Sequence, residues 1–382
     1  MIKRIPILLF IFALVFIYFK DEVFTSKTIT IGTSIPKTGI IKAWGDSVTA
    51  GANSYFKFVN EKNILGNKKI DFLIYDDKYE PELTIDNTNN LTFKDNVFAL
   101  FGFVGTPTVK SILPILYDED IPFFGAFTGA SFLRNSKKEN LVNFRSSYEE
   151  EIEAIVSHLH EDKGLTSIAV FYQNDDYGEE GYISLLKSLE KRNLSLVAQG
   201  SYKRNTLSIN HAFNEIKDAR PQAIVMVGAY KTNSLFIKKA KENEYLKDTI
   251  FCNISFGDAN EMIKELNRQK TNTSNILFSQ VVPNFTDTSI PTILGYQTLM
   301  KKYYPKVDLG FISLEAYLSA KILVNALNRV KGNLTRKKFL SALKKTPSDS
   351  LEGIYLNFQN TQLLNKVYLF YYENSKFIEV KK

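Results

Sequence analysis

Residues 100–133 read LFGFVGTPTVKSILPILYDEDIPFFGAFTGASFL, and no other stretch restricts the fold as much. Two short apolar runs lie on either side of a helix-length segment, the pattern of neighbouring parallel strands buried on both faces. Each run closes in a turn of small residues, Gly105-Thr106-Pro107-Thr108 and Phe127-Thr128-Gly129-Ala130. Open α/β sheets place their ligands at the carboxyl ends of such strands. Free amides at a helix start, flanked by threonine hydroxyls, suit a carboxylate or another anionic oxygen. No catalytic group accompanies them, which points to holding a small molecule and not to transforming it.

The alternation extends through the chain. Strands are expected at Thr28–Thr33, Ile70–Tyr75, Val97–Phe101 and Ile121–Phe124, with a loop from Ser34 to Asp46 and a helix from Ser47 to Asn60. After Val142–Arg145 a second series begins: helix Tyr148–His160, strand Ser167–Tyr172, helix Tyr177–Lys191, strand Leu194–Ser201, helix Leu207–Asp218, strand Ala223–Val227, helix Thr232–Asn243 and strand Thr249–Asn253. A third begins at Ile276–Val281 and runs through helices at about 290–303 and 313–330 to short tail strands, Gly353–Leu356, Val367–Tyr372 and Phe377–Val380. Such alternation implies βαβ units and parallel sheets with helices on both faces. No low-complexity linker separates the series, so two lobes must be joined by tight crossings.

At 382 residues, 44% of them hydrophobic and 23% charged, the chain is long enough for two folded domains. The net charge of +7 is spread over scattered lysines with no dense basic run, so no nucleic-acid partner is expected. The single cysteine, Cys252, sits in an apolar run and is expected to be buried. Lys3 and Arg4 precede an apolar run from Ile5 to Phe19 and the charged Lys20-Asp21-Glu22. That pattern fits either a secretory signal sequence or an uncleaved membrane anchor spanning residues 1–26, and both imply export.

Catalysis finds little support. Of the three histidines, His158 and His160 are two apart and do not share a helical face, so no metal site is expected. Asp76-Asp77 and Asp175-Asp176 close strands and read as capping and loop residues. No nucleophile elbow, P-loop or dinucleotide fingerprint occurs in the right context, and no cofactor is expected.

Several short motifs, in order and spacing, resemble the type I periplasmic solute-binding proteins of the leucine/isoleucine/valine-binding family. They are Ile31-Gly-Thr-Ser-Ile-Pro with Thr38-Gly39, Trp44-Gly45-Asp46, Phe103-Val-Gly-Thr-Pro-Thr, Pro122-Phe-Phe-Gly-Ala-Phe-Thr-Gly-Ala, Arg145-Ser-Ser-Tyr and Asp175-Asp-Tyr-Gly. The resemblance implies a periplasmic binding protein type I fold: two Rossmann-like α/β lobes joined by a three-crossover hinge that closes on its ligand. It puts lobe 1 at 27–146 and 280–352, and lobe 2 at 147–279 and 353–382.

The same resemblance implies a ligand site. Trp44, placed in the first loop, would stack over the ligand. Gly105, Thr106 and Thr108 would take its carboxylate, with Phe127, Thr128 and Gly129 of the second turn as further contacts. Tyr177 and Tyr230 match the family's two closing tyrosines, and Tyr148, Ser255 and Phe256 are additional cleft residues. Amino acid binders of the family carry an acidic residue where this chain has Ser255-Phe256-Gly257. Either the ligand lacks an α-amino group, or Asp258, Glu149, Glu150 or Glu151 supplies the charge. The implied role is an extracytoplasmic receptor that captures an amino acid, an amide or a related carboxylate for an ABC permease. A sensing module for a membrane signalling protein, such as a histidine kinase, is the second reading.

Overall fold

The computed structural model describes residues 23–381. The leader expected at 1–26 therefore falls almost wholly outside the described residues. Among the described residues no helix is long and apolar enough to cross a membrane.

Two sheets organise the chain. The first contains β1 (Thr28–Ile35), β2 (Lys69–Asp76), β3 (Ala99–Phe101), β4 (Phe123–Phe124) and β5 (Leu141–Val142), all parallel, in the order β2-β1-β3-β4-β5. The second contains β6 (Ile168–Gln173), β7 (Leu196–Tyr202), β8 (Ala223–Val227), β9 (Ile250–Asn253), β10 (Ile276–Gln280), β11 (Tyr368–Glu373) and β12 (Lys376–Glu379). Its order is β12-β11-β10-β9-β8-β6-β7, parallel except for the antiparallel tail strands β11 and β12. β8 shows why these runs become interior strands: Ala-Ile-Val-Met-Val is apolar throughout and every residue is buried, as a strand covered on both faces requires. Cys252 is fully buried in β9, and burial pushes its thiol far up.

Helices after β10 return to the first sheet. The largely buried helix Phe311–Arg329 packs along Lys42–Glu61, with Pro291–Tyr303 beside it. This contact is close because Gly51 faces the Ser313 carbonyl, where a Cβ would stand only 2.1 Å away. The crossing segments lie side by side. Asn143 N donates to Thr361 O at 2.7 Å, Leu363 N to Asn143 O at 3.1 Å, and Leu364 N to Phe144 O at 2.8 Å.

Two expectations need correction. Ser34–Asp46 is not loop to its end, because the helix starts at Lys42 and carries Trp44 in its first turn. Its N-cap, Ile41, offers no side-chain bond, so the usual polar start signal is missing. Gly353–Leu356 forms no strand; only an isolated bridge joins Leu351 and Ile354. His158 and His160 fall in a π-helical turn, where His158 contacts Asp162 and the Tyr371 hydroxyl.

Candidate functional site

The carboxyl ends of both sheets point at each other, and the loops that leave them meet at a buried aromatic centre. From the first half, Trp44 is 1% exposed. Its indole stacks on Phe256 of the second half with centroids 4.8 Å apart. Phe127 meets the same indole edge-on at 5.7 Å. Tyr177 lies against Phe256 at 4.7 Å and against Tyr148 at 5.4 Å. Five of the aromatic residues expected around a ligand thus share one cluster.

The two small-residue turns lie side by side beneath it. The β3–β4 pairing resumes past Gly102 and Gly125 as a bridge between Val104 and Phe127, and Gly105 N donates to Phe127 O at 3.2 Å. Gly105 has φ 105°, and a Cβ there would stand 2.3 Å from the Tyr79 ring, so only glycine fits. The Thr106 and Thr128 hydroxyls bond each other at 2.7 Å. Thr128 Oγ1 also accepts from Ala130 N at 3.2 Å. One hydroxyl proton joins the pair, which leaves the second without a protein acceptor among these bonds. The Tyr148 hydroxyl is buried beside the pair, near enough to interact with both threonine hydroxyls but without a well-formed hydrogen bond, and the Tyr177 hydroxyl is buried with no partner. Burial pushes both phenols up, so both remain protonated donors.

Other expected residues are committed elsewhere. Thr108 Oγ1 donates back to Val104 O at 2.6 Å and Gly105 O at 2.9 Å, fixing the turn. Gly129 contributes its carbonyl to Tyr148 N at 2.9 Å and so seats that tyrosine. Ser255 gives its amide and hydroxyl to Glu151 at 2.7 and 2.8 Å. Tyr230 opens its helix and lines a groove of about 420 Å³ with Lys42, Asp46, Asp258 and Lys264, away from the threonine pair.

Of the acidic residues considered for an ammonium, Glu150 closes a capping box with Ser147, and Glu149 is exposed. Glu151 is fully buried and accepts from Ser255, from Ser279 Oγ at 2.6 Å and from Arg145 at 3.3 Å. Asp258 Oδ1 caps Glu261 N, while Oδ2 is buried without a partner. Burial raises the Asp258 carboxyl to about 7.

Four residues that sequence reasoning did not place at the site support it. Arg145, fully buried, contacts Glu151 and Ser255, stands 3.7 Å from Glu315 and lies 5.9 Å from the Tyr148 ring. Its Nε and one terminal nitrogen have no hydrogen-bond partner. Glu315 is pushed up to about 7 by burial, partly countered by Arg145. Arg134 holds the second turn by donating to Thr128 O at 3.0 Å and Ala130 O at 3.1 Å. Tyr79 sits at φ 65°, fixed by its amide bond to buried Asp77 at 2.9 Å, and its hydroxyl accepts from Gln173 across the halves at 3.2 Å. Asp77 also takes Ser34 Oγ at 2.8 Å, and burial raises it to about 6.

Around the rim, polar clasps join the halves. Lys110 pairs with Asp176, and Ser131 donates twice to Glu180, at 3.0 and 2.9 Å. Glu80 accepts from Arg204 at 2.9 Å and Asn205 at 2.7 Å.

Two α/β halves with facing strand ends and a buried, hydroxyl-bearing aromatic centre make a type I periplasmic binding fold. Residues 28–376 match the profile of the family described as Periplasmic binding protein. The Leu/Ile/Val-binding protein homolog 7 of Brucella abortus is 22% identical over 349 residues, covering 88% of this chain and 87% of its own. A solved structure of a possible leucine/isoleucine/valine-binding protein from Rhodopirellula baltica is 32% identical, covers 93% of this chain and 96% of its own, and superposes with a TM-score of 0.87. A substrate-binding periplasmic protein from Ralstonia solanacearum is 25% identical over 92% of this chain and 100% of its own, with a TM-score of 0.86. The chain belongs to the periplasmic binding protein family, in its leucine/isoleucine/valine-binding branch. The family and these structures are binding proteins, not enzymes, and the family is extracytoplasmic.

Proposed function

We propose that this protein is the extracytoplasmic receptor of an ABC-type importer and captures a small organic solute between its two lobes. The solute class is an amino acid, an amide or a related carboxylate. The lobes in this reading comprise 27–146 with 280–352, and 147–279 with 353–382, and they part and close about the crossings near residues 143–147, 280–290 and 353–367. Closure on the solute forms the surface that the membrane permease reads. Export through the amino-terminal segment belongs to the same reading.

One observation carries it. Tyr148, from one half, brings its hydroxyl beside the threonine pair of the other half, and Tyr177, packed on Tyr148 at 5.4 Å, carries a second buried hydroxyl with no partner. Buried polar groups are nearly always satisfied, so such groups gathered where two lobes meet call for a guest. Trp44, Phe127 and Phe256 supply the apolar walls, and the turn after β3 supplies polar contacts for an anionic oxygen.

The test is a thermal-shift screen of amino acids, amides, aliphatic and aromatic acids and polyamines, followed by titration of each positive. A true ligand raises the melting temperature by mass action and alters Trp44 emission. A ligand that binds tightly while Tyr148→Phe and Trp44→Phe leave its affinity unchanged sinks this site.

A further inference from the structure

Resting on that site, we propose that the guest is a carboxylic acid without an ammonium group, an aliphatic or arylalkyl monocarboxylate in place of an amino acid. The argument is an inventory of charge. An ammonium buried between the lobes needs an anionic partner, because an unpaired buried ion costs several kcal/mol.

The carboxylates near the centre are already taken. Glu151 stands where it could serve, behind Ser255, but its two oxygens accept from Ser255 N at 2.7 Å, Ser255 Oγ at 2.8 Å and Ser279 Oγ at 2.6 Å, with Arg145 at 3.3 Å. Asp77 is held by Ser34, Tyr79 and Thr84. Asp175 caps Tyr177 N and Gly178 N and accepts from Gln173 at 2.7 Å. Glu315 faces Arg145 at 3.7 Å. Asp258 alone keeps a free oxygen, but it lines the outer groove with Tyr230, and none of Thr106, Thr128, Tyr148 and Tyr177 lines that groove.

The unpaired groups at the centre are donors. They are the Tyr148 and Tyr177 hydroxyls and one terminal nitrogen of Arg145, all buried, while Arg145 Nε faces Glu315 at 3.7 Å. The guanidinium nitrogens can only donate. Arg145 is already ion-paired with Glu151 and Glu315, so it is the surplus of unpaired donors that fits a carboxylate, whose oxygens accept several strong hydrogen bonds. The aromatic walls then cover an uncharged body.

The experiment compares matched pairs on the full exported protein by calorimetry: 4-methylpentanoate with leucine, and 3-phenylpropionate with phenylalanine. One acid is expected to bind at least about a hundredfold more tightly than its amino counterpart, with Tyr148→Phe weakening it and Asp258→Asn leaving it unchanged. An amino acid that binds as tightly as its acid, and is weakened by Tyr148→Phe, overturns the ligand class while the site stands. Binding that ignores Tyr148→Phe but is lost in Asp258→Asn moves the guest to the outer groove and overturns both. No binding by any of the four compounds overturns the ligand class.

Discussion

Trp44 and Phe256, 212 residues apart, stack at 4.8 Å with planes inclined by 26°, and the indole Nε1 donates to the Phe256 carbonyl oxygen at 3.2 Å. One residue comes from each half, so the pair reports their approach. Trp44 is the only tryptophan in the chain. Removing the ring in Phe256→Ala is expected to shift Trp44 emission to the red and to weaken guest binding about two- to tenfold, given that a stacked aromatic pair contributes about 0.5–1.5 kcal/mol beyond its buried area. Emission identical to the parent protein would contradict the geometry.

Tyr148→Phe separates binding from folding. The hydroxyl it removes is buried and makes no well-formed hydrogen bond, so the midpoint of urea unfolding should hold or rise slightly. The affinity for a carboxylate guest should fall by about 1.5–3 kcal/mol, roughly ten- to a hundredfold in Kd, as expected for a bond to a charged group. Equal affinity in the two proteins would remove Tyr148 from the site.

Stability should depend on pH in a defined direction. Burial raises Glu315 to about 7, Asp258 to about 7 and Asp77 to about 6, all above their ordinary values of 4.5, 3.8 and 3.8. Each holds its proton to higher pH in the native state than in the unfolded chain, so stability falls as pH rises from about 4 through about 7. Glu153 and Glu352 act oppositely: burial raises them, but bonds from Arg192 and Lys321 outweigh it and bring both to about 2. Their contribution is present above the ordinary glutamate value and is lost as pH falls toward about 2. The melting temperature should therefore peak in mild acid, near pH 4–5, and Glu315→Gln should flatten the decline toward pH 8. A parent curve that climbs steadily to pH 8 would refute this.

Gly51→Ala tests the helix contact that supports the first half. The new Cβ would meet the Ser313 carbonyl oxygen at 2.1 Å and the Ala316 Cβ at 2.9 Å. Forcing these helices apart should cost about 1–3 kcal/mol of unfolding free energy. Guest affinity, measured on the folded fraction, should not change, since Gly51 touches none of the site residues. An unaltered unfolding midpoint would mean that the two helices separate freely.

How far the sequence anticipates this depends on how local each cause is. The turns at 105–108 and 127–130 are legible because apolar runs stop abruptly at small residues, and the structure sets those turns side by side. The helix start at Lys42 is not, because Ile41 provides no capping side chain. Tyr79 escapes notice because its left-handed backbone is held by Asp77, which is itself anchored by Ser34 at the end of β1. Arg145 is visible in sequence only as part of Arg145-Ser-Ser-Tyr and Glu151 only as one of four candidate carboxylates, yet both are fully buried. Their burial comes from contacts with Ser255, Ser279 and Glu315, more than 100 residues away, and no short window of sequence contains that information. Phe256 is readable as aromatic, but its place over Trp44 depends on how the two halves meet.

The rim clasps differ in kind from the centre they surround. Lys110 with Asp176, and Arg204 with Glu80, are partly exposed to water, whereas Trp44 and Phe256 are shut away from it. Dissolved ions weaken the first kind of contact over distances of about 10 Å at 0.1 M and scarcely touch the second. A brackish or salty surrounding would thus loosen the gate while sparing the grip, so the rate at which a guest escapes should respond to ionic strength more than the shape of the space it leaves.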